Sequence, residues 1–304
     1  MQRKIGAHVS AAGGLHTAFE RAASIGCNCL QLFSGSPRVW NKKAIAEIVT
    51  DKFFSEQQKY SLSPIFTHAL YLVNLASDNP ETLRKSFESL KYELEFDAAI
   101  KGSGVIVHVG SHQGRGWENV RVQIVEQIAG LLAVTPDNSL FLIENAAGQN
   151  GKIGGNLAEI QWLLKELEKA GEYVTKGRVG WCFDTCHAHA AGYFLGTGAP
   201  QEQLFAAEKI GREPASAYEE ITRLELWDAL KCIHVNDSRD PFGSGRDRHD
   251  NLGDGLIGIS SLTEFLALPE LVHIPLIIEV PGIAGEGPDA ENIQRLHELT
   301  GGKE

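Results

Sequence analysis

Apolar residues along this chain fall into two alternating rhythms. Short continuous runs occupy Ile5–Val9, Cys29–Phe33, Pro64–Thr67, Val105–Val107, Leu140–Ile143, Val179–Phe183, Cys232–Ile233 with its flanks, and Leu276–Ile278. Runs of this kind read as strands buried on both faces. Between them, apolar residues recur at helical spacing over Leu15–Ser24, Ile45–Tyr60, Glu81–Lys101, Asn119–Ala133, Leu157–Ala170, Pro200–Ile210, Ser216–Leu224, Leu262–Leu266 and Ala290–Leu299. Strands alternating with helices predict a parallel sheet. Eight strands is the number that closes a (β/α)8 TIM barrel. No linker, repeat or low-complexity segment interrupts the pattern, so one α/β domain is expected over residues 1–304, with a frayed tail at 301–304.

In such a barrel the C-terminal ends of the strands converge on one mouth, where active sites are built. The polar residues that end the strands are His8, His68, His108, Glu144, Asp184, His234 and Glu279. All except His8 are good metal ligands of matching chemistry. Asp184-Thr-Cys-His187 adds another, because a helical turn starting there would bring His187 onto the face of Asp184. Asp247-Arg-His249 adds two more, since alternate side chains of an extended chain point the same way. The inventory is then five histidines, two aspartates and two glutamates. That is too many for one tetrahedral zinc site and suits two or three divalent cations. Metals roughly 3.5–4 Å apart can share a hydroxide nucleophile in phosphoester hydrolysis. His189 reads as a supporting or structural residue, and His112 is open between a substrate contact and a surface role.

Composition narrows this further. The chain has 304 residues, 43% of them apolar and 22% charged, with a net charge of −11. That excludes a sequence-blind basic coat for nucleic acid, but bound cations would offset the deficit locally. Five cysteines without paired CxxC spacing read as buried reduced thiols. No secretory leader is visible and no apolar run approaches the 18 or so residues of a membrane span. A soluble cytoplasmic protein is expected.

Four loops carry further chemistry. Ser34–Trp40 offers Arg38 and an indole on a tight turn, and Tyr71-Leu72 is an aromatic–apolar pair able to wedge into a base stack. Glu144–Gly155 is rich in glycine and could present backbone amides to phosphate. Val235–Gly258 is longer than a compact domain usually tolerates without a function.

Together these residues resemble the endonuclease IV family of zinc-dependent apurinic/apyrimidinic endonucleases. The resemblance runs through Ile5–Gly14, His68–Ala76, His108–His112, Glu144–Gln149, Cys182-Phe-Asp-Thr-Cys-His187, His234–His249, Pro275–Glu279 and Gly287–Asp289. It implies three zinc ions in an eight-stranded barrel, with manganese admitted at one site. His68, His108 and a bridging Glu144 would hold the first. Glu144, Asp184, His234 and Glu279 would hold the second, and His187, Asp247 and His249 the third. It further implies a metal-bridging hydroxide that attacks the phosphate 5′ to an abasic site in duplex DNA. The products would be a 3′-OH and a 5′-deoxyribose phosphate, and blocked 3′ ends would also be trimmed. Arg38 and Tyr71 match the positions that enter the DNA, with Leu72 beside them. Arg246 and Arg248, flanking Asp247, are expected at the DNA backbone. No obligate protein partner is expected, and the chain is expected to act as a monomer. Arg239, Val39 and His189 depart from the family pattern without touching a ligand. Two other readings are a divalent-metal sugar isomerase on a related barrel, which has no use for His187, Asp247 and His249, and a non-catalytic binder of damaged DNA.

Overall fold

The computed structural model describes residues 3–171, 177–196 and 214–301. The expected helix 200–210 and most of the expected 301–304 tail lie outside the described residues. Barrel strands are β1 (Ile5–His8), β2 (Cys29–Phe33), β3 (Ile65–His68), β4 (Val105–Val107), β5 (Phe141–Glu144) and β6 (Val179–Asp184), followed by β9 (Leu230–His234) and β12 (Leu276–Ile278). They close in the order β1-β12-β9-β6-β5-β4-β3-β2, all parallel. This is the TIM barrel that the alternation predicts. Two short ladders lie outside it: β7 (Tyr193–Phe194) with β8 (Ala215–Ser216), and β10 (Asp237–Ser238) with β11 (His249–Asp250). Among the described residues, no helix is long and apolar enough to cross a membrane.

Small side chains let the interior fill. Cys29, Cys182 and Cys232 pack there with Phe66, Ile106, Leu142 and Ile277. All five cysteines are buried and free, as their apolar neighbourhoods predict. The outer faces of the strands meet the helices in a second, larger core that includes Phe19, Leu94, Ile124, Leu163 and Phe265.

Helix starts follow cap chemistry. Asn79 accepts from the amides of Glu81 and Thr82 ahead of helix Pro80–Ala99, and Asp289 accepts from Asn292 ahead of Ala290–Leu299. The expected helix Ile45–Tyr60 is two helices, Ile45–Ile48 and Asp51–Tyr60. Val49 and Thr50 are extended between them, where the β-branched run Ile48-Val49-Thr50 weakens the helix and Thr50 takes the cap position of the second piece. The stretch 235–258 is not structureless, because the β10–β11 ladder folds it back on itself.

Close strand packing makes a test. A Cβ on Gly6 in β1 would stand 2.2 Å from the carbonyl oxygen of Cys29 in β2. Gly6→Ala should therefore destabilise the barrel by about 1–3 kcal/mol as an overpacking defect. Urea unfolding should show a lowered midpoint with an unchanged slope.

Candidate metal centre

Five other strand ends meet around Glu144. This carboxylate is fully buried at the end of β5. Its Oε2 lies 3.2 Å from Nε2 of both His68 and His108, and its Oε1 lies 3.0 Å from Nδ1 of His234. Asp184 in β6 stands beside His234 in β9 by register, with Oδ2 3.8 Å from Nδ1. Glu279, just past β12, brings Oε2 to 3.3 Å from the same nitrogen.

Two elements outside the barrel complete the cluster. Asp184 caps helix Thr185–Ala191 by accepting from the amide of His187 at 2.7 Å, which starts the turn that aims His187 inward. The β10–β11 ladder places His249, whose Nε2 is 3.7 Å from Asp184 Oδ2. Asp247 Oδ1 is 3.1 Å from His187 Nε2 and 3.3 Å from His249 Nε2. Candidate ligand atoms accordingly gather in three overlapping groups: His68–His108–Glu144, Glu144–Asp184–His234–Glu279, and Asp184–His187–His249 with Asp247 against it. The first two are the groups the family resemblance implies. In the third, Asp184 joins the expected trio, so that two carboxylates, Glu144 and Asp184, link neighbouring groups.

The spacing fits metal. Ligands about 2.0–2.1 Å from a tetrahedral zinc stand about 3.3 Å from one another, and most of these separations lie close to that value. Hydrogen bonding accounts for only part of them: His68 and His234 bond Glu144, but Nε2 of His187 and of His249 are buried without a hydrogen-bond partner despite the nearby Asp247. Contacts at the second nitrogens fix the tautomers. His68 Nδ1–H donates to the Ala69 carbonyl (2.8 Å), His187 Nδ1–H to that of Asn145 (3.0 Å), His249 Nδ1–H to that of Glu279 (3.3 Å) and His234 Nε2–H to Gln31 Oε1 (2.7 Å). Each leaves the other lone pair facing the cluster, the arrangement typical of metal-ligating histidine. Among the described residues, no lysine or arginine pairs with Glu144, Asp184 or Glu279, so the buried carboxylates call for cations from outside.

Electrostatics follow from the same crowding. Burial opposes ionisation of Glu144, but His108, His234 and His187 outweigh it and hold the carboxyl well below its usual range. Burial likewise opposes protonation of His234, and Glu279 and Glu144 overcome it, pushing the imidazole up to about 10. His108, where burial dominates, falls to about 4.

Sequence reasoning missed the supporting residues. Gln31 is fully buried in β2 and donates to Glu279 Oε1 at 2.6 Å while accepting from His234. Asn236 donates to Asp184 Oδ2 (2.7 Å) and accepts from the Glu279 amide (2.8 Å). Asn145 bonds the backbone of Asp184 in both directions. A polar side chain inside the apolar run Cys29-Leu-Gln-Leu-Phe33 is the available signal for Gln31. His8, set apart as a non-ligand, contacts Glu279 Oε1 (3.0 Å) and Gln31.

Loops ring a cleft of about 390 Å³ over the cluster, lined by Tyr71, Arg239, Arg248 and Pro281 among others. Tyr71 is 59% exposed and stands 5.8 Å from the His68 ring; Leu72 is 38% exposed and Arg38 is exposed on its turn. Arg246 and Arg248 are exposed but approach Asp240 at 3.5 and 3.4 Å. Two loops offer less to a substrate than their composition suggests. His112 Nδ1 accepts from the amides of Gly114 and Gly116, so it shapes its own loop. In the glycine-rich loop, the amides of Ala146, Lys152, Ile153 and Gly154 are consumed by protein acceptors and do not point to solvent. His189 is buried against Phe242, outside the cluster.

A barrel whose strand ends carry such ligands is a xylose isomerase-like TIM barrel, and the model of that family matches residues 19–299. The probable endonuclease 4 of Halothermothrix orenii is 34% identical over 96% of this chain and 99% of its own length. That of Halorhodospira halophila is 35% identical over 99% and 95%. The chain belongs to the endonuclease IV family. Endonuclease IV from Thermus thermophilus superposes with a TM-score of 0.77 at 28% identity, covering 97% of this chain and 98% of that one. A 3-keto-D-glucoside 4-epimerase from E. coli, 14% identical with a TM-score of 0.67 over 98% of this chain and 99% of that one, shares the fold alone.

Because His234 is pushed up to about 10, the metal-free protein carries it protonated at pH 7. Metal needs that lone pair, so binding must expel the proton, and affinity must rise with pH toward that value. Titrating zinc into chelator-stripped protein at pH 7, in buffers of differing ionisation enthalpy, should register release of roughly one or more protons per chain. Tighter binding at pH 6 than at pH 8 would contradict the assignment.

Proposed function

We propose that this chain is a zinc-dependent DNA-repair endonuclease that cuts the phosphodiester bond 5′ to an abasic site in duplex DNA. It leaves a 3′-OH and a 5′-deoxyribose phosphate, and it also trims blocked 3′ ends. The observation that carries this reading is the third ligand group. His187, His249 and Asp247 lie on elements outside the barrel, and one or two metals at the strand ends would suffice for sugar isomerisation. Names of the relatives point the same way.

Bound zinc would supply Lewis acidity and a water acidic enough to act at neutral pH. His68, His108 and Glu144 would hold one ion, Glu144, Asp184, His234 and Glu279 a second, and Asp184, His187, Asp247 and His249 a third, with manganese an alternative at one site. The first group has only three protein ligands, fewer than a closed structural site requires, which leaves room for a reacting oxygen. Glu279 keeps one oxygen toward His234 and the other on Gln31 and His8, and Glu144 spans two groups; these two carboxylates order the centre of the site. His187 and His249 stand on its outer side, where a departing oxygen would need stabilisation.

Tyr71, Leu72 and Arg38 would enter the duplex and hold out the abasic nucleotide, which has no base to unstack and so flips at low cost. Arg246 and Arg248 would meet the backbone. The whole chain would work as one domain and as a monomer in the cytoplasm.

Incubating the zinc-loaded protein with a duplex carrying one tetrahydrofuran abasic analogue should give a single cut on its 5′ side. Elemental analysis should find about three zinc per chain, against about one or two for an isomerase. Glu279→Gln should lower incision by at least about a thousandfold while the circular-dichroism spectrum stays native. Normal incision by that variant would remove the assignment.

A further inference from the structure

Lys42 and Glu93 form an ion pair almost wholly out of water. Nζ and Oε1 are 2.5 Å apart, with the side chains 9% and 0% exposed. The same ammonium donates to Ser34 Oγ at 2.7 Å and lies 5.4 Å from the centre of the Tyr92 ring. Ser34 is the first residue after β2, and Lys42 stands near the end of the same loop. Both ends of the loop are therefore drawn to one point on helix Pro80–Ala99, with Arg38 between them. Upstream, that helix continues from the segment that carries Tyr71 and Leu72. Ser34, Val39, Lys42 and Lys43 also line a groove of about 1030 Å³ that reaches His8 at the edge of the metal cluster.

A pair this deep is a poor device for stability alone. Desolvating two charges offsets most of their attraction, and apolar residues of similar size often hold a fold as well. Its other consequence is directional, because a lysine on an irregular loop is fixed to one place on a rigid helix. Glu93 Oε2 has no hydrogen-bond partner, so loss of Lys42 would leave the carboxylate buried without its nearest countercharge, with Ser34 alone hydrogen-bonded to it.

We propose that Lys42 and Glu93 are positioning residues that hold the Arg38 loop in fixed relation to Tyr71 and Leu72, so that both reach into the duplex together. This rests on the DNA-incision reading above. Neither residue touches the metal cluster or the reacting phosphate.

The test uses the zinc-loaded full chain and the tetrahydrofuran-containing duplex. Glu93→Gln and Lys42→Met should each raise KM about tenfold and change kcat by less than about twofold, because a misplaced contact is lost in binding rather than in chemistry. Zinc content should stay at the wild-type value, and backbone amides of residues 35–41 should exchange faster with deuterium. The double variant Lys42→Met/Glu93→Leu guards against misfolding, since it removes both charges at once. It should melt at about the wild-type temperature and retain the KM defect. Unchanged KM and exchange in the single variants, or full recovery of KM in the double variant, would overturn the proposal. Failure of the wild-type chain to cut the abasic duplex would instead overturn the functional reading, and loop exchange would still report on the clasp.

Discussion

Everything in the mouth of this barrel depends on a carboxylate that, among the described residues, has no basic side chain other than histidine to answer it. Glu144 is fully buried, and its nearest partners are the imidazoles of His68, His108, His187 and His234. A charge in that position is costly unless it is matched. Without metal, the match comes from protons, which is why His234 and His187 are held above the ordinary histidine range while Glu144 and Glu279 are held below that of a carboxylate. With metal, the same lone pairs are already aimed. Bound cations would displace those protons, and the fixed geometry is supplied by neutral amides and carbonyls that cannot themselves neutralise the cluster.

Those neutral groups show how far the sequence carries. Strand ends are legible because alternation places them, and a histidine or carboxylate at seven of the eight strand ends stands out against an apolar run. His68, His108, Glu144, Asp184, His234 and Glu279 are all legible that way, and the structure gathers them. Gln31, Asn145 and Asn236 are not, because an amide that orients a ligand has no spacing rule of its own. Its role exists only once the strands close and bring Gln31 in β2 against Glu279 beyond β12. The single helix expected over Ile45–Tyr60 fails for a local reason, the β-branched run near its start. Asp184's second contact, to His249, depends on the β10–β11 ladder, which pairs two residues from each side and leaves no periodic trace.

The loops that carry Arg38, Tyr71 and Leu72 follow a different logic from the candidate metal centre. Ligands sit on strand ends or are tied to them by caps and ladders, whereas Arg38, Tyr71 and Leu72 stand on irregular segments. A loop can be precise only if something rigid holds it. For the Tyr71 segment, Phe33 and His68 pack against the ring at 5.6 and 5.8 Å. In the Arg38 loop, Lys42 is tied by its buried pair with Glu93 to helix Pro80–Ala99. Charge is thus used in two ways in one barrel: as a centre that awaits cations, and as a tether whose partner is built in.

The division between barrel and non-barrel elements bears on how such a fold acquires a particular chemistry. The strand ends alone account for two of the three ligand groups, those around Glu144. A sugar epimerase of low sequence identity shares the barrel, and the barrel by itself specifies no reaction. The third group requires one helical turn capped by Asp184 and one two-residue ladder, together a small fraction of the chain. Neither is needed to close the barrel. Their presence here adds candidate ligands at the outer side of a cluster that the strand ends already assemble.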